Sequence, residues 1–281
     1  MLPFGSGARP ALIPSVNGMF RTRAAVALAL IPGLLTIPRP APADVLPDSA
    51  AVQRLVRQFA GRQGYPGIAV AIVKDDRIVL TTGAGHDSTG APVTATTPMP
   101  VASVSKSFTA LAVMQLVEAG KLDLDADINR YLDFKVPPYD GKPMTMRQLM
   151  THSAGFADTS KDLFPPDLKS LKPLSRMAEV PMPARIFPPG TTPAYSNYGA
   201  SLAGYIVQRV SGQPFDDYIE QHIFAPLGMA HSTFRQPLPQ GWSANMSKGY
   251  RTASGRPGPF ELVQMPPAGP CRRPARTSAD S

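Results

Sequence analysis

The chain opens into readable structure at Asp48, a residue able to cap a helix. Beyond it Val52, Leu55, Val56 and Phe59 recur at the spacing of one buried helical face, and the pattern stops near Gly61 to Gly64. Ile68 to Val73 is apolar without a break, Lys74-Asp75-Asp76-Arg77 reads as a turn, and Ile78 to Leu80 is apolar again. That is a β-hairpin whose first strand expects cover on both faces. Between Val101 and Val136 there is no proline, and Ser105 to Ala119 followed by Gly120 predicts a helix. Phe108, Leu111, Ala112, Val113, Met114, Leu116 and Val117 surround most of it, which places it centrally. A short helix is expected after Thr145, a long one from about Tyr198 to Ser211 closed by Gly212, and another from Pro214 through Ile223. Asp158 to Pro193, with eight prolines and little periodicity, reads as a long irregular loop.

Composition narrows the class. The 281 residues include 33 prolines, more than double the usual share of about 5%, yet 43% are hydrophobic, which suits a packed domain. One cysteine, Cys271, permits neither an intrachain disulfide nor a thiolate zinc cluster, and no metal or cofactor is expected. The net charge of +8 leans on Arg9, Arg21, Arg23 and Arg39, which lie in residues 1–43 beside no acid. The remaining basic residues are scattered, apart from Arg272, Arg273 and Arg276, and form no stripe interleaved with aromatics, so no nucleic-acid partner is expected. Those 43 residues read as a leader: Met19-Phe-Arg-Thr-Arg, the apolar run Ala24 to Leu35, and Ala41-Pro42-Ala43 form the charged, apolar and small-x-small parts of a secretory signal. Met19 is the expected start, cleavage follows Ala43, and the product is secreted or periplasmic. The apolar run is too short for a membrane span of about 20 residues.

Two clusters carry candidate chemistry. Ser103-Val104-Ser105-Lys106 sets a hydroxyl and an amine one turn apart at a helix start, where Lys106 could take the serine's proton. This spacing arises about once by chance in such a composition, and a helix cap followed by a solvated lysine is the plainer reading of the motif alone. Tyr195-Ser196-Asn197 offers a phenol for proton transfer and an amide for substrate or lysine. Its plainer reading is Asn197 as a helix cap and Tyr195 as a packing residue.

Together, in order along the chain, these clusters resemble the serine β-lactamase and penicillin-binding family, in its class C β-lactamase, D-alanyl-D-alanine carboxypeptidase and esterase branch. That group carries S-x-x-K and, in this branch, Y-x-N. Gly67 to Leu80, Val101 to Ala110, Gly120 to Asp125, Thr145 to Gly155, Phe187-Pro-Pro-Gly190 and Pro226-Leu-Gly-Met229 are also similar, over about residues 48 to 269. The resemblance implies an α+β fold: an antiparallel sheet flanked by helices beside a mostly helical lobe. It implies Ser103 as nucleophile, Lys106 and Tyr195 as proton carriers, Asn197 as a substrate-positioning group, and His152 as structural. The substrate would be a β-lactam, a D-Ala-D-Ala peptide or an ester, as a small molecule or a peptide, peptidoglycan included. A non-catalytic binder of cell-wall peptide, or an assembly protein of the same fold, is the alternative.

The resemblance stops at Gly269. The family continues into the last strands of the sheet, a K-T-G or H-x-G motif and a helix, whereas here twelve residues, Pro270 to Ser281, follow. Lys248-Gly249 and His231-Ser232-Thr233 are the nearest lookalikes, and both are out of order. Reading the tail's codons in a shifted frame permits Leu-Ser-Ser-Thr-Gly-Ala-Asp-Ile-Gly-Arg-Phe, which is close to the family's continuation. The expected organisation is therefore a leader over 1–43, an incomplete hydrolase domain over 44–269, and an unrelated out-of-frame tail over 270–281. A chain so shortened is expected to be poorly stable and weakly active.

Overall fold

The computed structural model describes residues 48–158, 163–242, 246–250, 255–258 and 261–269, and the backbone of Arg272–Arg273. The expected leader and the rest of the expected tail lie outside the described residues. Helix α1 (Ser49–Gln63) begins where Asp48 Oδ1 accepts the Ala50 N–H at 3.0 Å and ends at Gly64, whose φ of +67° is the left-handed turn that glycine takes cheaply. Strand β1 (Gly67–Lys74) pairs antiparallel with β2 (Arg77–Gly85), and Asp75 and Asp76, at φ +49° and +60°, supply the turn whose twist suits a tight hairpin.

Two sequence expectations are corrected here. Leu55 and Phe59 are 64% and 47% exposed, because a two-stranded sheet covers only a narrow stripe of α1. That stripe centres on Val56 and Ala60, which pack with Ala84, Val52, Ile68 and Val70. Likewise β1 is not covered on both faces: none of its residues is fully buried, and Val73 is 62% exposed. Among the described residues the other edge of β1 has no partner strand.

The main core lies in the helices. Helix α2 (Lys106–Glu118) buries Thr109, Ala112, Val113 and Leu116 against α4 (Asn197–Ser211), whose residues from Tyr198 to Val207 are all buried. The expectation that α2 is apolar nearly all round and central holds on one side only, since Leu111 and Met114 are 41% and 46% exposed. Short α3 (Met146–Met150) starts with a reciprocal capping box between Thr145 and Gln148. Helix α5 (Phe215–Ile219) runs into a π-helical turn over Glu220–Phe224. The described part of the proline-rich segment is irregular apart from a 3₁₀ turn over Leu174–Glu179, held by buried Met177.

Helix α4 also sets the position of a turn that matters for the site. A Cβ built on Gly204 would lie 2.4 Å from both Cβ and Cγ of Pro267, in the 3₁₀ turn Pro266–Ala268. Only glycine lets that turn lie flat on the helix. Gly204→Ala is expected to cost about 1–3 kcal/mol through overpacking, read as a lowered Tm, and to slow the site's chemistry by displacing the carbonyls described next.

Candidate active site

A 3₁₀ turn over Ala102–Ser105 leads into α2 and presents Ser103 to solvent. Ala102 holds φ at +45°, a left-handed conformation that costs an alanine about 1–2 kcal/mol and persists only where surrounding contacts enforce it. One turn on, Lys106 Nζ lies 3.0 Å from Ser103 Oγ and 2.9 Å from Asn197 Oδ1. Tyr195 Oη lies 2.7 Å from Ser103 Oγ, and Lys106 Nζ sits 4.9 Å from the centre of the Tyr195 ring. The structure thus brings together all four residues singled out in the sequence: Ser103, Lys106, Tyr195 and Asn197. Ser196, not Asn197, caps α4, accepting the Gly199 N–H at 3.0 Å. That leaves the Asn197 amide free to reach the lysine.

A fifth contributor had no signal of its own in the sequence. Three successive carbonyls of one turn accept from side chains of the Ala102–Ser105 turn and α2: Pro267 O from Thr109 Oγ1 at 2.8 Å, Ala268 O from Lys106 Nζ at 2.5 Å, and Gly269 O from Ser105 Oγ at 3.1 Å. Pro266-Pro267-Ala268-Gly269 drew notice only as the end of the resemblance, because a backbone acceptor leaves no mark on residue type.

Counting donors and acceptors shows what the arrangement can do. As an ammonium, Lys106 has three protons for three acceptors: Ser103 Oγ, Asn197 Oδ1 and Ala268 O. The exposed Ser103 oxygen then accepts from both Lys106 and the Tyr195 hydroxyl, and its own proton turns to the cavity. As a neutral amine, Lys106 keeps its bonds to Asn197 and Ala268 and turns a lone pair to the serine proton, while the Tyr195 hydroxyl donates to Ser103 Oγ. In either arrangement Ser103 Oγ has Lys106 Nζ and Tyr195 Oη within 3.0 Å, so two groups able to exchange a proton flank the hydroxyl. Tyr198, the neighbouring phenol, takes no such part: burial pushes it up to about 12, and it packs against Phe156.

A cavity of about 280 Å³ opens beside Ser103 and Asn197, lined further by Pro100, Leu163, Phe164 and Val263. Lys248 and Gly249, which were out of order as a third motif, also line it, together with Glu261. The chain thus brings a lysine to the wall of the site from a different segment than the resemblance implies. Backbone pairing of Met99–Pro100 with Arg272–Arg273 runs antiparallel at the edge of this region. Among the described residues no group of histidines, cysteines and carboxylates could hold a metal ion.

A serine hydroxyl approached by a lysine and a tyrosine, exposed beside a cavity on an α+β scaffold, is the arrangement that the sequence resemblance implies. The chain belongs to the β-lactamase family, which it matches over residues 52–269. It is 31% identical over 177 residues to protein flp of Staphylococcus aureus strain MW2, covering 61% of this chain and 35% of that protein. Among solved structures it resembles the octameric penicillin-binding protein homologue from Pyrococcus abyssi, with a TM-score of 0.66, 26% identity, and coverage of 83% of this chain and 54% of that one. It also resembles the D-alanine carboxypeptidase AmpC from Burkholderia cenocepacia, with a TM-score of 0.63, 29% identity, and coverage of 84% and 62%. The β-lactamase-like fold expected from the sequence is thereby established. This chain spans about a third to two thirds of the length of these relatives.

Proposed function

We propose that this protein is a serine hydrolase that works through an acyl-enzyme on Ser103. The observation that carries the reading is the simultaneous approach of Tyr195 Oη and Lys106 Nζ to Ser103 Oγ, at 2.7 and 3.0 Å. In acylation the Oγ–carbon bond forms and the carbonyl's bond to its amine or alcohol breaks. The serine proton passes to the Lys106/Tyr195 pair and from it to the leaving group. Water then attacks the ester, with the same pair reversing its role. The substrates we propose are β-lactams, D-Ala-D-Ala peptides or esters, met outside the cytoplasm as small molecules or as peptidoglycan peptide.

Turnover by these 281 residues is proposed to be slow. The resemblance assigns one oxyanion donor to the Ser103 N–H and the second to a sheet strand, and the described sheet has two strands with the β1 edge unpaired. Intact-mass spectrometry after incubation with a fluorescent penicillin, alongside hydrolysis of a p-nitrophenyl ester, tests the proposal. A mass gain of one ligand supports it. Binding without a mass gain favours a non-catalytic cell-wall-peptide binder, and large particles by light scattering favour an assembly role.

A further inference from the structure

Tyr195 has to hold its hydroxyl at Ser103 while 44% of the residue stays exposed, so its place must be fixed through its backbone and ring. Two segments lie side by side to do this. Ala157 N–H donates to Ala184 O at 2.8 Å, Ile186 N–H to Gly155 O at 2.8 Å, Gly190 N–H to Ser153 O at 2.7 Å, and Ala194 N–H to His152 O at 2.6 Å. The next contact is made by a side chain: Ser196 N–H donates to His152 Nδ1 at 3.2 Å. Ser196 is 3% exposed, so without the imidazole its N–H would face no water in compensation. The His152 ring also lies against the Tyr195 ring, with centroids 4.5 Å apart and planes inclined by 34°. One residue therefore grips the position before Tyr195 by its carbonyl, the position after by a ring nitrogen, and the tyrosine itself by its face. Its φ of +54° is strained for histidine and fits a residue fixed by its surroundings.

We propose that His152 is the positioning residue for Tyr195 and works only as a neutral imidazole with its Nδ1 lone pair on the Ser196 N–H, so that protonation releases the Tyr195-Ser196-Asn197 corner. A proton on Nδ1 would set two N–H donors against each other. The family resemblance implied a structural place for His152, and the geometry gives that place a specific duty. The charged or titratable groups that bear on the ring are Lys106, Asp158 and Tyr195. Burial first, and then the Lys106 charge, lower the imidazole below its ordinary range against the opposing pull of Asp158. The working form therefore prevails at neutral pH. It is lost as pH falls through the lowered value, and the stability it contributes is lost over the same window.

The test has a structural arm and a kinetic arm, and only the kinetic arm rests on the hydrolase reading. In ¹H–¹⁵N NMR of the whole chain, His152 is expected to carry its proton on Nε2, and the Ser196 amide signal is expected to titrate with the ring at one midpoint. In the kinetic arm, H152F keeps an aromatic face but no acceptor, and is expected to acylate about 10- to 100-fold more slowly with KM little changed. H152N tolerates the left-handed backbone and offers an amide oxygen in place of Nδ1. It is expected to recover most of that loss and to retain activity further into the acid range. A Ser196 amide that stays still while His152 titrates, or H152F acylating at the parent rate, overturns the proposal. Absence of acylation in every form overturns the hydrolase reading instead, and the NMR arm then decides the role of His152.

Discussion

Ser103→Ala is expected to abolish covalent labelling by a fluorescent penicillin and to lower ester turnover by about 10⁴-fold or more, the scale seen when a serine nucleophile is removed. The substitution deletes the one atom at which Tyr195 and Lys106 converge. It leaves Asn197 Oδ1 and Ala268 O on the lysine, so the ammonium stays two-thirds satisfied. Ser103 is exposed, and stability should change by no more than about 0.5 kcal/mol. Thermal unfolding and intact mass measured on the same sample check this. An unchanged Tm with no mass gain is the expected pair, and labelling that persists in the variant would show that another nucleophile is at work.

The second large effect concerns the sheet. Joining after Gly269 the C-terminal segment of a structural relative, such as the D-alanine carboxypeptidase AmpC from Burkholderia cenocepacia, is expected to raise both stability and rate. A strand added at the edge of β1 that is unpaired among the described residues would supply ladder bonds to a hairpin that is marginal by itself, and would cover Val73. The same strand, by the family resemblance, brings the second oxyanion N–H, which is worth about 10²–10³ in rate. Acylation kinetics and Tm for the two chains, expressed side by side, settle it. Equal rates would mean that the second donor comes from elsewhere in the present chain.

Much of the site was legible because its groups are side chains at fixed spacing. Ser103 and Lys106 had to share a helical face, and Tyr195 and Asn197 had to flank a helix start. The helices were legible for a similar reason, with terminators such as Gly64 and Gly212 lying where the apolar period ends. What stayed hidden depends on contacts between distant segments. The Ala268 carbonyl on Lys106 spans 162 positions, and backbone acceptors carry no residue signature. The resemblance gave His152 only a structural place, and its contact with the Ser196 N–H emerged from the fold. The uncovered faces of α1 and β1 went unforeseen because apolar residues announce that burial is wanted, not which partner provides it.

The turn that ends at Gly269 has a practical side. Its three carbonyls are pinned to Thr109, Lys106 and Ser105, so whatever is joined after Gly269 starts one hydrogen bond away from the segment that carries Ser103. For anyone building on this protein, that junction is no neutral attachment point. An affinity tag, a linker or a fused reporter placed there acts as a handle on the lysine, and its length and stiffness become variables of the catalytic experiment. A purification handle placed ahead of Asp48, beyond the expected leader cleavage at Ala43, keeps clear of this turn.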